Sequence, residues 1–308
     1  MRIIVTGGAG FIGSHIVDAY LAKGHEVFVV DDLSTGSKTN LHKKATLYVI
    51  DLVDPALRKV LAEISPDVVS HHAAQMNLRR SVEDPLFDAR TNILGLLNVL
   101  EACKGLKVKK ILFASSGGAV YGEQEKFPAA EDHPTRPLSP YGVSKITGEH
   151  YLYCYQSAFG IPYTALRYSN VYGPRQNSEG EAGVVAIFIR QLLDGRSPTI
   201  NGDGKQTRDY VYVDDVVAAN VAALESSFSG SLNIGTGKET NVLTIFSLLR
   251  DGLGVDIAAL HGPAKVGEQE RSCIDASRAG SAFGWTARTR LEEGLRETIA
   301  FYRQAGPA

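Results

Sequence analysis

Cysteine is scarce in this chain. Three residues in 308, Cys103, Cys154 and Cys273, stand far apart with no C-x-x-C pair. That spacing excludes a disulfide framework and a paired-thiol motif, and a reduced, cytoplasmic chain is the expectation. Charge of one sign is lacking too: 32 Lys and Arg face 34 Asp and Glu, for a net charge of −2. Such a balance gives no electrostatic case for nucleic acid or an anionic membrane surface as partner. No apolar run approaches the ~18 residues that a membrane-spanning helix needs, so no transmembrane span is expected. The apolar N-terminus lacks a long h-region and reads as a strand rather than a signal peptide. His71 and His72 have no acid or cysteine at ligand spacing, and no metal is expected. Internal repeats and low-complexity tracts are absent. At 308 residues the chain can bury a large core, in two lobes rather than one.

What is present is organised around Ile3–Gly13, IIVTGGAGFIG. Ile3, Ile4 and Val5 form a β-branched run too brief for a helix and suited to a buried parallel strand. Gly7, Gly10 and Gly13 follow, and an amphipathic stretch, Phe11 to Lys23, comes after them. Strand, glycine turn and helix in that order bring backbone N–H groups to a pyrophosphate that a Cβ would hold off. Gly7, Gly10, Phe11, Ile12 and Gly13 are therefore the candidate cradle. A second apolar strand, Glu26 to Val30, ends in Asp31, where a dinucleotide fold places its ribose-binding acid. A carboxylate there accepts from ribose hydroxyls and repels a 2′-phosphate, so the expected cofactor is NAD rather than NADP. Asp32, Leu33, Ser34, Thr35 and Gly36 form the polar loop that follows, a candidate cofactor segment in which Ser34, Thr35 and Gly36 are placed to line the adenosine ribose. An ordinary surface loop is the other reading.

Strand patterns continue at Leu47–Ile50, Asp67–Ser70 and Lys110–Ala114, with a helical period over Asn92–Lys104. The first of these ends in Asp51 and Leu52, placed to bond and pack against an adenine. The second leads into HHAAQ, where Ala73 and Ala74 are small enough for a cofactor to pass. The third delivers Ser115 and Ser116 to its C-terminal edge, where open α/β sheets bind ligands. Such alternation argues for an α/β fold with a doubly wound parallel sheet.

Pro140 precedes Tyr141-Gly-Val-Ser-Lys145, and the pattern to Phe159 is helical. Tyr141 and Lys145 then share one helix face, roughly 6 Å apart. A nearby ammonium favours the tyrosinate, which predicts a phenol pKa below the usual ~10 and an acid/base role near neutral pH. A strand at Tyr163–Arg167 leads into YSNVYGPRQ. Regular alternation loosens beyond that point. A helix at Val184–Leu193 and strands at Tyr210–Val213 and Leu232–Ile234 belong to the looser part.

GGAGFIGSH, DDLSTG, SSGGAVYG, YGVSK, RYSNVYGPRQ and GDGKQTRDYVYVDD together resemble the extended short-chain dehydrogenases/reductases. Within that superfamily they look most like the UDP-glucose (UDP-galactose) 4-epimerases. The resemblance runs from Arg2 to about Trp285. It implies a Rossmann domain over 1–170, to which the chain returns near 208–237. It also implies a smaller α/β lobe over 171–308 that binds a UDP-sugar, and a homodimer built on the two helices Asn92–Lys104 and Tyr141–Phe159. NAD would be reduced and reoxidised within one turnover, with Tyr141 as acid/base and Lys145 on the nicotinamide ribose. Gln75, Asn92, Ser115 and Tyr168 complete the implied cofactor set. Asn170, Arg208, Lys265 and Arg271 would meet the diphosphate, Val184 and Phe188 the uracil, and Ser272 the wall beside the sugar 2-substituent. For Arg208 the other reading is a salt bridge to Asp209 or Asp215.

Two departures stand out. The family's third loop hydroxyl falls on Gly117, leaving Ser116 or a water to bridge Tyr141 and the sugar 4-oxygen. The second diphosphate arginine is Lys265, a point charge rather than a fork. Nucleotide-sugar 4,6-dehydratases and glucuronate decarboxylases carry acids where this chain has Gly117 and Gly118, which argues against both. A UDP-glucuronate epimerase stays open. A non-catalytic NAD-binding protein would commonly have lost the Tyr/Lys pair.

Overall fold

Short β-branched runs separated by amphipathic segments can bury both faces of a strand only inside a layered α/β fold. The computed structural model describes residues 1–178, 183–264 and 269–305. The first six strands are β1 (Arg2–Thr6), β2 (Glu26–Asp31), β3 (Thr46–Val49), β4 (Val68–His71), β5 (Lys110–Ser116) and β6 (Tyr163–Tyr168). Seven shorter or later ones follow: β7 (Asn170–Tyr172), β8 (Thr199–Asn201), β9 (Thr207–Tyr212), β10 (Gly230–Ile234), β11 (Glu239–Asn241), β12 (Leu260–Gly262) and β13 (Arg271–Ser272). The helices of the first half are α1 (Phe11–Ala22), α2 (Leu57–Ile64), α3 (Leu78–Glu83), α4 (Pro85–Ala89), α5 (Gly95–Cys103), α6 (Gly117–Val120) and α7 (Pro140–Phe159). Those of the second half are α8 (Val184–Leu193), α9 (Val213–Glu225), α10 (Val242–Leu253), α11 (Ser277–Phe283) and α12 (Leu291–Ala305).

The large sheet runs β10-β6-β5-β4-β1-β2-β3, and every pairing in it is parallel. Strand order reverses between β1 and β4, so a crevice opens at their carboxyl ends. Period-two alternation divides the core. Ile4, Phe28 and Val69 face α2, α5 and α7, while Ile3, Val5 and Val29 face α1 and α9. A second sheet, β11-β9-β13 with β7 also paired to β9, and a two-stranded pair, β12-β8, carry the rest. Around them α8, α10 and α12 enclose a separate core that includes Phe188, Ile245 and Ile299.

Two expectations change. The strand expected at Tyr210–Val213 begins at Thr207 and joins the small sheet, so within 208–237 it is α9 and β10 that return to the large one. The helix expected from Asn92 starts with a widened π turn over Arg90–Leu94. That turn swings the Asn92 side chain inward, where its amide closes two hydrogen bonds with the backbone of Gln75 at 2.8 and 2.9 Å. Among the described residues, no helix is long and apolar enough to cross a membrane.

Candidate active site

The glycine turn is dictated by contact. Gly7 takes φ +68°, and a Cβ there would stand 2.5 Å from the Ala73 nitrogen. Only glycine lets the β1 turn lie against the loop after β4. At Gly10 a Cβ would meet only the Gly7 carbonyl, at 3.2 Å, and no side chain caps α1. The helix therefore opens as a bare N-terminus, which fits a pyrophosphate. Asp31, nearly buried at the end of β2, accepts from the Ala9 N–H at 2.9 Å and the Leu33 N–H at 2.8 Å. Burial raises its pKa. One lone pair of each oxygen is left for a ribose hydroxyl. In the following loop Ser34 donates to Asp32 at 2.6 Å, and Gly36 packs against Ala9. Thr35 is exposed beside them.

Leu52 does not present a free face at the β3 edge. It is buried in the core beneath Gly95, while Asp51 stays exposed and accepts from the Val53 N–H. Past β4, Ala73 and half-buried Ala74 lead to Gln75, which Asn92 grips. Both side-chain amides converge on Asp88, a residue for which the sequence offered no signal. Its carboxylate is fully buried and accepts from Gln75 Nε2 at 2.9 Å, Asn92 Nδ2 at 3.0 Å and Ser144 Oγ at 2.6 Å.

Tyr141 and Lys145 stand on the first turns of α7, whose N-terminus is capped by Ser139 with Pro140 at its first position. Ser116 at the end of β5 hydrogen-bonds the Tyr141 side chain. The phenol pKa goes the opposite way from the sequence expectation: burial pushes it up to about 12, the Ser116 bond acts to lower it, and the Asp88 charge adds to the rise. Lys145 does not offset this. Its Nζ donates to the Ala114 carbonyl at 2.8 Å and lies 5.7 Å from the Tyr141 ring centroid. Burial pushes the lysine itself down to about 8, against Asp88, which favours the ammonium. His71 and His72 are held neutral at about 3, by burial and then by the charge of Lys145.

Ser115 and Ser116 point to opposite faces of β5. Ser115 donates to Glu149 at 2.5 Å, inside a buried network with Arg167, so its hydroxyl is turned away from the expected cofactor edge. The Tyr168 hydroxyl likewise bonds Asn220, though its ring lies parallel to His72 at 6.5 Å. Gly117 has no room for a hydroxyl: a Cβ would stand 2.7 Å from Ile274 Cδ1 and 3.1 Å from the Arg167 carbonyl. Ile274 is itself enclosed by Val120, Tyr121 and Ala129. Gly117→Ser is therefore expected to cost ~1–3 kcal/mol in urea unfolding and to gain no turnover. Adding Ile274→Ala should relieve the clash, and a fully stable single variant would show that Ile274 yields.

Asn170, Arg208 and Ser272 come together on the small sheet. Asn170 pairs in register with Tyr210, and Arg208 with Ser272, so all three sit on neighbouring strands. A Cβ on Gly118 would lie 3.6 Å from Asn170 Oδ1, which sets this sheet beside the turn after Ser116. Ser272 is buried rather than facing solvent. The oxygens of Asp209 are taken by Thr236 and Gly237, and those of Asp215 by Arg288 and Thr289. Arg271 is exposed, paired with Glu239 at 2.5 Å and stacked over Phe127. Phe188 is buried against Phe246 in the lobe's core, with Val184 half-buried one turn before it. Lys265 lies outside the described residues.

A doubly wound sheet with a glycine cradle, a ribose-side aspartate and a Tyr-x-x-x-Lys helix defines a dinucleotide-dependent oxidoreductase or isomerase site. The profile of the NAD dependent epimerase/dehydratase family matches residues 3–235, and the chain belongs to that family. It is 44% identical to the UDP-glucose 4-epimerase of Mycolicibacterium smegmatis, over 98% of this chain and 99% of that one. The UDP-glucose 4-epimerase of Thermotoga maritima, solved with UDP-glucose, superposes with a TM-score of 0.97 at 45% identity, covering 99% of both chains. The Thermus thermophilus UDP-glucose 4-epimerase, solved with NAD, gives 0.95 at 44% identity over 99% of this chain and 100% of that one.

Proposed function

We infer that the chain interconverts the C4 epimers of a UDP-hexose, with NAD as its cofactor. The observation that carries this reading is the meeting of Tyr141, Ser116 and Lys145 at the β5 edge, beside the cradle of Gly7 to Gly13. NAD held in this cradle would supply the hydride acceptor and donor for the sugar C4. Tyr141, once in its phenolate form, would take the proton of the 4-hydroxyl as C4 is oxidised to the ketone, and would return it when C4 is reduced on its other face. Ser116, bonded to the phenol, stands in for the missing loop hydroxyl and steadies the oxygen that gains and loses the proton. Lys145 supplies the resident positive charge and the donor for a nicotinamide ribose. Asn170 and Arg208 on the small sheet are assigned to the diphosphate, where the planar guanidinium suits a phosphate pair. Gly117 and Gly118 offer no acid or base beside C5 or C6, which supports epimerisation over elimination.

The chain is assigned to the cytoplasm, in keeping with three free cysteines. A homodimer is assigned through α4, the π turn before α5, and α7, where Leu86, Leu94, Val143, Tyr153 and Phe159 are exposed. Analytical ultracentrifugation of the native protein checks that state.

The test is conversion of UDP-galactose by purified protein, followed by chromatography, together with release and identification of bound NAD. No conversion would sink the reading. The same assay examines substrate width. Ser272 is a small residue at the assigned wall beside the sugar 2-substituent, so the N-acetylhexosamine pair should be accepted along with the plain hexoses. Ser272→Tyr is expected to abolish activity on the N-acetylated pair and largely spare UDP-galactose, since overfilling a wall costs ~1–3 kcal/mol or more. Wild-type protein active on UDP-galactose but inert toward both N-acetylated sugars would show that another residue closes this gate.

A further inference from the structure

Asp88 is a buried carboxylate that the chemistry above does not use. It sits at 0% exposure on α4, and among the described residues no lysine or arginine forms an ion pair with it. Three side-chain donors hold it instead. Gln75 and Asn92 come from the segments assigned to the cofactor, and Ser144 comes from α7, between Tyr141 and Lys145. A charge that deep is costly unless it is hydrogen-bonded, and a hydrophobic residue would fill the space with less risk. The 2.6 Å bond from Ser144 is the shortest of the three and joins the carboxylate directly to α7.

We propose that Asp88 is a positioning residue for the acid/base pair. Its carboxylate ties the seat of the cofactor to the helix that carries Tyr141 and Lys145, through the Ser144 hydroxyl that lies between them in the chain. This rests on the epimerase reading only in giving Tyr141 its task. The other titratable groups packed around the pair are His71 and His72 at the end of β4, both neutral, so Asp88 is the anion that the pair faces. A negative neighbour disfavours the phenolate and favours the ammonium, so the two pKa values rise or fall together. The same field discourages loss of the Tyr141 proton until positive charge has been brought to the site.

Asp88→Asn in the NAD-loaded protein removes the charge and keeps the shape. The amide oxygen still accepts from Gln75 and Asn92, and the amide nitrogen can donate to the Ser144 oxygen. Both limbs of the kcat/KM pH profile should move to lower pH by about one unit. An ultraviolet difference titration against the matching Tyr141→Phe protein reads the phenol without turnover and should show the same displacement. Limbs and phenol titration that stay in place, with or without a loss of rate, would overturn the proposal in favour of a purely structural role. Ser144→Ala gives a second reading should Asp88→Asn fail to fold. It deletes one hydrogen bond and leaves the charge less compensated, so the phenol titration should hold or move to higher pH, and a move to lower pH overturns the proposal. A wild type that converts no UDP-hexose, while Asp88→Asn still displaces the phenol titration, would sink the epimerase reading and leave this role standing.

Discussion

Tyr141→Phe is expected to turn over at least ~100-fold more slowly than wild type, because a positioned acid/base group is worth about 10²–10⁴ in rate. Phenylalanine keeps the ring that packs at the start of α7, so the loss isolates the hydroxyl. With the phenol raised to about 12 by burial, very little phenolate exists at neutral pH without further positive charge. The side chain is therefore held as a donor to substrate and released as a base only when the charge around it changes. Lys145, with its Nζ 5.7 Å from the ring centroid, is already in place and does not offset the rise, so the change must come with the bound ligands. The variant should retain bound NAD, since the cradle and Asp31 lie on other elements. Single-turnover and steady-state assays on UDP-galactose check the rate, and chromatography of the denatured protein checks the cofactor. A near wild-type rate would remove Tyr141 from the chemistry.

What could be read from the sequence was whatever depends on short spacing. Gly7, Gly10 and Gly13, the Asp31 that ends β2, and the Tyr141–Lys145 face are each local, and the structure assembles them where strand order reverses. Asp88, Glu149 and Ile274 were not legible. Asp88 reads as one more acid in a short helix, and only the π turn at Arg90–Leu94 brings Asn92 round to meet it. Ile274 is brought to Gly117 by the pairing of β13 with β9, a contact across more than half the chain. The direction of the Tyr141 pKa was missed for a related reason. Helical spacing fixes how near the lysine stands, but not that its Nζ turns to the Ala114 carbonyl, nor how far both groups are desolvated. The partner of Arg271 was hidden in the same way, since nothing local shows that Glu239, two strands away in the small sheet, will pair with it.

Arg167→Met is expected to cost ~3–5 kcal/mol of stability. Arg167 on β6 and Glu149 on α7 form a bidentate pair, at 2.9 and 2.7 Å, with side chains only 7% and 5% exposed. Ser115 and Ser231 add hydroxyl donors to the same carboxylate at 2.5 and 2.6 Å, and the Arg167 guanidinium also donates to the Tyr121 hydroxyl at 2.9 Å. Deleting the arginine leaves a buried carboxylate with two hydroxyls and no counter-charge, which is the costly half of breaking such a pair. Adding Glu149→Met removes the stranded charge and should recover at least half of the loss. The hydroxyls of Ser115, Ser231 and Tyr121 then keep the double variant short of wild type. Urea unfolding of the two variants reads both numbers, and a single-variant loss under ~1 kcal/mol would mean that water reaches Glu149. Glu149 lies two turns beyond Tyr141 on the same helix, so the double variant also separates support from chemistry. If the pair only docks α7 onto the sheet, turnover returns with stability. If stability returns and turnover does not, the charges of Glu149 and Arg167 act on the site through the Ser115 edge of β5.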